Sequence, residues 1–165
     1  MAAWKRGWFA ADRLIFRIVK SIVFLCTVLM VVVSTMQVLM RYILSMPIKW
    51  GNEFCCFMLV YDVFLGAALG LREAGHVRLE IEKMNLPKPV MTLFHLISDV
   101  AVYIFLLIYL VYGYQFAVRN GSTLSEVMKW PYIALYGILP ISGILMLWGQ
   151  TSVLLERSER KEKNR

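Results

Sequence analysis

Charge is scarce in this 165-residue chain: Asp, Glu, Lys and Arg make up 18% of it, against about 25% in an ordinary soluble domain. A surface so poor in charge cannot face water over most of its area, and a hydrophobic content of 59% says what it faces instead. Histidine is rarer still. The two present are His76 in a polar stretch and His95 in an apolar one, so no pair is set to hold a haem across a bilayer. The three cysteines are Cys26 alone and the adjacent Cys55 and Cys56. Neither arrangement is the C-x-x-C of a dithiol redox pair, which argues against a thiol oxidase and for a packing role. No glycine-rich loop has phosphate-binding spacing. These absences leave no catalytic centre, metal site or cofactor to propose, and the chain reads as something other than an enzyme.

What is present is apolar sequence in four blocks, 19–40, 50–71, 90–114 and 132–155. Each is long enough for the roughly 20 residues that a bilayer-crossing helix needs. Lipid offers the backbone no hydrogen bonds, so uninterrupted runs of this length are helices, and the expected fold is an all-α membrane protein of a single four-helix domain. The remaining residues are too few for a soluble catalytic domain. The first block follows a basic segment but is longer than a signal-peptide core and lacks an Ala-x-Ala cleavage site, so it is expected to be retained. Pro140, near Gly137 and Gly143, predicts a kink in the last span.

The formal charge of +7 is distributed in a way that orients the chain. Fourteen of the eighteen Lys and Arg residues fall in the N-terminal segment, the middle connection and the C-terminal tail; Arg41, Lys49, Arg119 and Lys129 are the other four. The positive-inside rule then puts both termini and the middle connection in the cytoplasm. Trp50, Trp130 and Tyr132 mark the opposite interface. Because these cations flank apolar spans instead of interleaving with aromatics, anionic lipid is their expected counter-charge and nucleic acid is not. In the N-terminal segment Trp4, Trp8, Ala11 and Ile15 recur at helical spacing, with Lys5, Arg6, Asp12, Arg13 and Arg17 on the other face. This pattern fits an interfacial helix, the alternative being a frayed tail with snorkelling cations.

Two acids lie inside the apolar blocks, where an ionisable group is costly and therefore a functional candidate. Asp62 shares a helical face with Gly66 and Gly70, a GxxxG spacing suited to close helix approach. Asp99 follows His95 by four residues, within reach of a local pair. Packing partners within the membrane are the simplest role for both. A small oligomeric exporter coupling ion movement to Asp62 or Asp99 is the contrasting one.

The stretch from Arg41 to Arg78 is the most distinctive. Arg41-Tyr42 precedes Pro47-Ile48-Lys49-Trp50-Gly51-Asn52-Glu53; Phe64-Leu65-Gly66-Ala67 leads to Gly70, then Arg72-Glu73 and His76-Val77-Arg78. In order and spacing this resembles the small membrane subunit of tripartite ATP-independent periplasmic (TRAP) transporters, and Gly121-Ser122-Thr123-Leu124 and Tyr136 to Pro140 extend the likeness to the C-terminal half. Asn52 and Asp62 depart from the family pattern. The resemblance implies a multi-pass protein of the bacterial inner membrane that works with a large multispan subunit and a periplasmic substrate-binding protein. In such a sodium-coupled importer of organic acids, the small subunit braces the scaffold of the large one. Contact with a partner or with lipid is then expected of Arg41, Trp50, Glu53, Asp62, Gly66, Gly70, Arg72, His76 and Arg78. An intact secondary transporter would need inverted repeats and broken helices, which this chain lacks.

The charge distribution makes a direct prediction. An impermeant thiol reagent added from outside should label a cysteine introduced between Arg119 and Lys129 and should miss one introduced near Lys83; the reverse pattern would overturn the orientation.

Overall fold

A computed structural model describes residues 3–46, 48–81 and 88–163, with side chains at 7–46, 48–73, 96–156 and 158. Five helices account for nearly all of it: α1 Ala3–Ile43, α2 Gly51–Ile81, α3 Lys88–Asn120, α4 Tyr132–Tyr136 and α5 Ile138–Lys163. Four helical stretches are long and apolar enough to cross a membrane, with α4 and α5 forming the last together. The helices overrun the apolar blocks because backbone bonding continues into the polar flanks. The 41 residues of α1 would extend about 60 Å at 1.5 Å per residue, twice a hydrocarbon core of about 30 Å. The basic N-terminal segment is therefore not a separate element but the first part of α1. Similarly, the alternating sequence after Gly75 continues the helix of α2 as far as Ile81.

The spans are arranged nearly in a row. α1 packs along α2, α2 along α5, and α5 along α3, while α2 and α3 meet through side chains such as the rings of Phe64 and Tyr109, 6.2 Å apart. Two apolar clusters fill the seams. Val19, Leu65 and Ile138 join α1, α2 and α5; Ala68, Leu106 and Met146 join α2, α3 and α5. The α4–α5 span is consequently the most enclosed and α1 the least, with one-third and 6% of their apolar windows buried. The outer faces of α1 and α3 carry long runs of exposed aliphatic residues.

The predicted irregularity in the last span falls at Gly137, one turn before Pro140. Gly137 closes α4 by donating its N–H to the Ile133 carbonyl, and a Cβ there would lie 2.8 Å from that oxygen. Pro140 then sits in the first turn of α5, where a missing N–H costs nothing. The α3–α5 connection is a compact hairpin: the Ser125 N–H donates to the Trp130 carbonyl and the Trp130 N–H to the Ser125 hydroxyl, Tyr132 donates to Thr123, and Ile133 donates to Gly121. Gly121 has no room for a side chain, because a Cβ would come within 2.5 Å of the Ala117 carbonyl.

Close helix approach does not occur where the GxxxG spacing suggested. A Cβ at Gly66 or Gly70 meets nothing within 4 Å, so that face of α2 is open. The tight contacts involve Gly143, whose Cβ would stand 3.2 Å from Leu110 and 3.3 Å from Tyr109, and Gly113, at 3.3 Å from Leu139. Gly149 is held likewise beneath Phe16. In the purified chain Gly143→Leu should therefore wedge α3 from α5 and lower the unfolding temperature by the equivalent of about 1–3 kcal/mol of overpacking. Gly66→Leu should leave that temperature unchanged.

Candidate functional site

The polar side chains of the spans converge on α5. From its N-terminal to its C-terminal end, Ser142 bonds Tyr109 of α3 at 2.9 Å, and Gln150 donates to Asp99 of α3 at 3.2 Å. Thr151 bonds Tyr103 at 3.0 Å, and Ser152 accepts from the indole of Trp8 in α1 at 3.1 Å. Trp8 also stacks on Trp148, ring centroids 3.9 Å apart. Ser142, Gln150 and Ser152 are buried, their polar atoms taken up by neighbouring helices as a low-dielectric interior demands. None of the three stood out in the sequence, although 142, 146, 149 and 153 follow one helical stripe and this span is the least apolar of the four.

Arg72 completes the set. Its guanidinium donates from Nε to Asp12 of α1 at 3.0 Å and from Nη2 to Glu156 of α5, tying three helices at one point. Asp12 is 2% exposed, which corrects its assignment to the solvated face of the N-terminal segment: Trp8, Asp12, Phe16 and Val19 form the inward stripe. The charge pattern along α1 could not show this, because the partner lies sixty residues away.

The other candidates divide into internal ties and open groups. Glu53, half-buried, accepts the Met128 N–H at 2.7 Å and so straps the α3–α5 hairpin to α2, with Phe57 packed against Trp130 and Tyr132 beside it. Asp62 sits near the middle of the α2 span and accepts at 2.8 Å from Thr27, whose hydroxyl proton is shared with the Val23 carbonyl. Its second oxygen, Oδ1, is shielded from solvent and has no partner among the described residues. Asp99, engaged with Gln150, lies on a different pair of helices, so the two acids do not face one another. Arg41 and Trp50 are exposed at the opposite end from Arg72, Arg41 lying over the Tyr42 ring at 6.0 Å. The side chains of His76, Arg78 and His95 lie outside the described residues. Among the described residues no three His, Cys, Asp or Glu side chains converge as metal ligands. Chemically the arrangement ties helices together; it builds no enclosed reaction site.

Removing the guanidinium tests that tie. Arg72→Met would strand two largely buried carboxylates, and thermal unfolding of the detergent-solubilised chain should register a loss of about 3–5 kcal/mol. Adding Asp12→Asn and Glu156→Gln to the same chain should restore most of it, since no buried charge is then left uncompensated.

The sequence has counterparts among known proteins. Residues 30–160 match the family described as tripartite ATP-independent periplasmic transporters, DctQ component. The sialic acid TRAP transporter small permease protein SiaQ of Vibrio cholerae serotype O1 is 27% identical over 122 residues, covering 72% of this chain and 68% of that protein. The matched region takes in α2, α3, α4 and the α2–α5 and α3–α5 seams. The chain therefore belongs to the DctQ family and is a small membrane subunit of a TRAP transporter.

Proposed function

We propose that this subunit is the stationary brace of a sodium-coupled, binding-protein-dependent importer of organic acids in the bacterial inner membrane. Both termini lie in the cytoplasm, and a large multispan subunit carries substrate and sodium. A periplasmic binding protein delivers the substrate. The reading is supported above all by the use of the intramembrane polar groups: Tyr109 with Ser142, Asp99 with Gln150, and Tyr103 with Thr151 all join one helix to the next. Side chains committed to holding helices in register are not free to coordinate a passing ion, and a single row of spans encloses no path. The same pairings count against an exporter working through Asp62 and Asp99, which are bound to separate partners. That the related Vibrio protein is named for sialic acid, a sugar carboxylate, supports an organic acid as cargo. Recognition of that acid is assigned to the other two components.

The large subunit is proposed to seat on the open face of α2. Gly66 and Gly70 leave that face without side chains, next to the turn that carries Asp62. Arg41 and Trp50, exposed at the outer end, are assigned to the same contact or to the headgroup boundary, and His76 and Arg78 to the cytoplasmic end. Glu53 contributes indirectly, by fixing the outer hairpin.

Reconstitution checks both parts. Organic-acid uptake into liposomes under a sodium gradient should require all three components, and this chain alone should move none; robust transport by the purified chain would favour the exporter. Gly66→Leu should lower co-purification of the large subunit several-fold while the isolated chain retains its unfolding temperature.

A further inference from the structure

A strongly charged surface feature among the described residues lies next to the Arg72 tie. A cleft of about 320 Å³ opens between α1 and α2 at their cationic end, beside the Arg72 tie, and is lined by Asp12, Arg13, Arg17, Lys20, Arg72 and Glu73, with Phe16 and Leu69 beside them. Arg17 and Lys20 are exposed and have no ion-pair partner among the described residues, and Arg13 makes one hydrogen bond, from Nε to the Phe9 carbonyl at 3.3 Å. Asp12 is paired with Arg72 through Oδ2, so the charge left over in the cleft is that of three cations, Arg13, Arg17 and Lys20, against one exposed carboxylate, Glu73, while Asp12 Oδ1 is buried without a partner among the described residues. One nitrogen of Arg72, Nη1, is shielded from solvent with no acceptor among the described residues.

The position of the cleft selects the anion. Arg13, Arg17, Lys20 and Phe24 follow one another at steps of four, three and four on one face of α1, and Phe24, a turn deeper, is 71% exposed. Ile18, Ile22 and Leu25 beside it are exposed as well. A cationic rim that grades directly into an apolar helix surface matches a molecule with a phosphate at one end and hydrocarbon at the other.

We propose that this α1–α2 cleft is a site for one anionic phospholipid, its headgroup phosphate held by Arg13, Arg17 and Lys20, and its acyl chain lying along Phe24. The excess of positive charge favours an anionic over a zwitterionic lipid, at about fivefold in affinity per cation. The site needs only that the chain lie in a membrane with this end at a headgroup layer. Its failure would leave the bracing role standing, and failure of that role would leave the site standing.

The test uses the purified full chain in detergent, titrated with dioleoyl phosphatidylglycerol and followed by native mass spectrometry. The wild type should retain one phosphatidylglycerol at concentrations where phosphatidylcholine is lost. Arg17→Gln with Lys20→Gln should weaken retention by about 25-fold, two cations at fivefold each. The conservative pair Arg17→Lys with Lys20→Arg should restore it, and Lys49→Gln with Arg119→Gln, cations at the other end, should not change it. Unfolding temperatures measured without lipid separate loss of the site from loss of the fold. Equal retention of phosphatidylglycerol and phosphatidylcholine, or undiminished binding by the Gln pair in a folded chain, would overturn the proposal. So would displacement by glycerol phosphate at matched concentration, which would mark a free-anion site. If adding the large subunit expels the lipid from the wild type, the cleft is a protein contact and the proposal falls.

Discussion

One guanidinium ties three packed helices at a single point. Arg72 reaches Asp12 on one side and Glu156 on the other, and those two carboxylates belong to the first and last long helices of the chain. In water such a pair would contribute about 0–1 kcal/mol. With Asp12 2% and Arg72 13% exposed, each charge has been taken out of solvent and depends on the others, so loss of any one is far more costly than formation of the set was favourable. Register follows from this. Once Arg72 is fixed, Trp8 falls over Trp148 and Gly149 under Phe16, and the remaining pairs along α5 can close only in one alignment.

The outlines of the protein were legible from hydropathy alone, because a bilayer admits few solutions: four apolar blocks became four spanning helices, with ends displaced only where helix continued into polar flanks. The break near Pro140 was legible too, and its displacement to Gly137 has a steric reason, since proline is tolerated in a first turn but not in the middle of a helix. What could not be read was which face of each helix meets which neighbour. The GxxxG spacing of Gly66 and Gly70 reports that one side of α2 is smooth, not that another helix of the same chain lies against it. The contacts that do need glycine, at Gly113 on α3 and at Gly143 and Gly149 on α5, follow no shared motif.

Charge misled for a related reason. Asp12 falls among cations along α1, and periodicity assigns such a residue to water; only the fold brings Arg72 to it. Glu53 carried a family resemblance and invited an external role, yet its oxygen is used to strap the hairpin above α2. Ser142, Gln150 and Ser152 drew no notice because small and neutral polar residues barely change a hydropathy profile, although inside a membrane each must find a partner and so dictates packing strongly. Sequence located the spans well and their mutual faces poorly. The difference is that insertion depends on a sum over residues, whereas packing depends on pairs.

The placement of the hub at the end of the chain has a consequence for how the protein is made. α5 is synthesised last, yet Asp99, Tyr103, Tyr109, Arg72 and Trp8, all translated earlier, find their partners on it or on its α4 lead-in. Until that helix leaves the ribosome those groups lack their α5 partners, although α1 and α2 can already pair through Arg72 with Asp12 and Thr27 with Asp62. Assembly thus closes late around an α1–α2 pair, and a nascent chain arrested before Ile138 would present to membrane quality control the unpaired polar groups that the finished protein conceals.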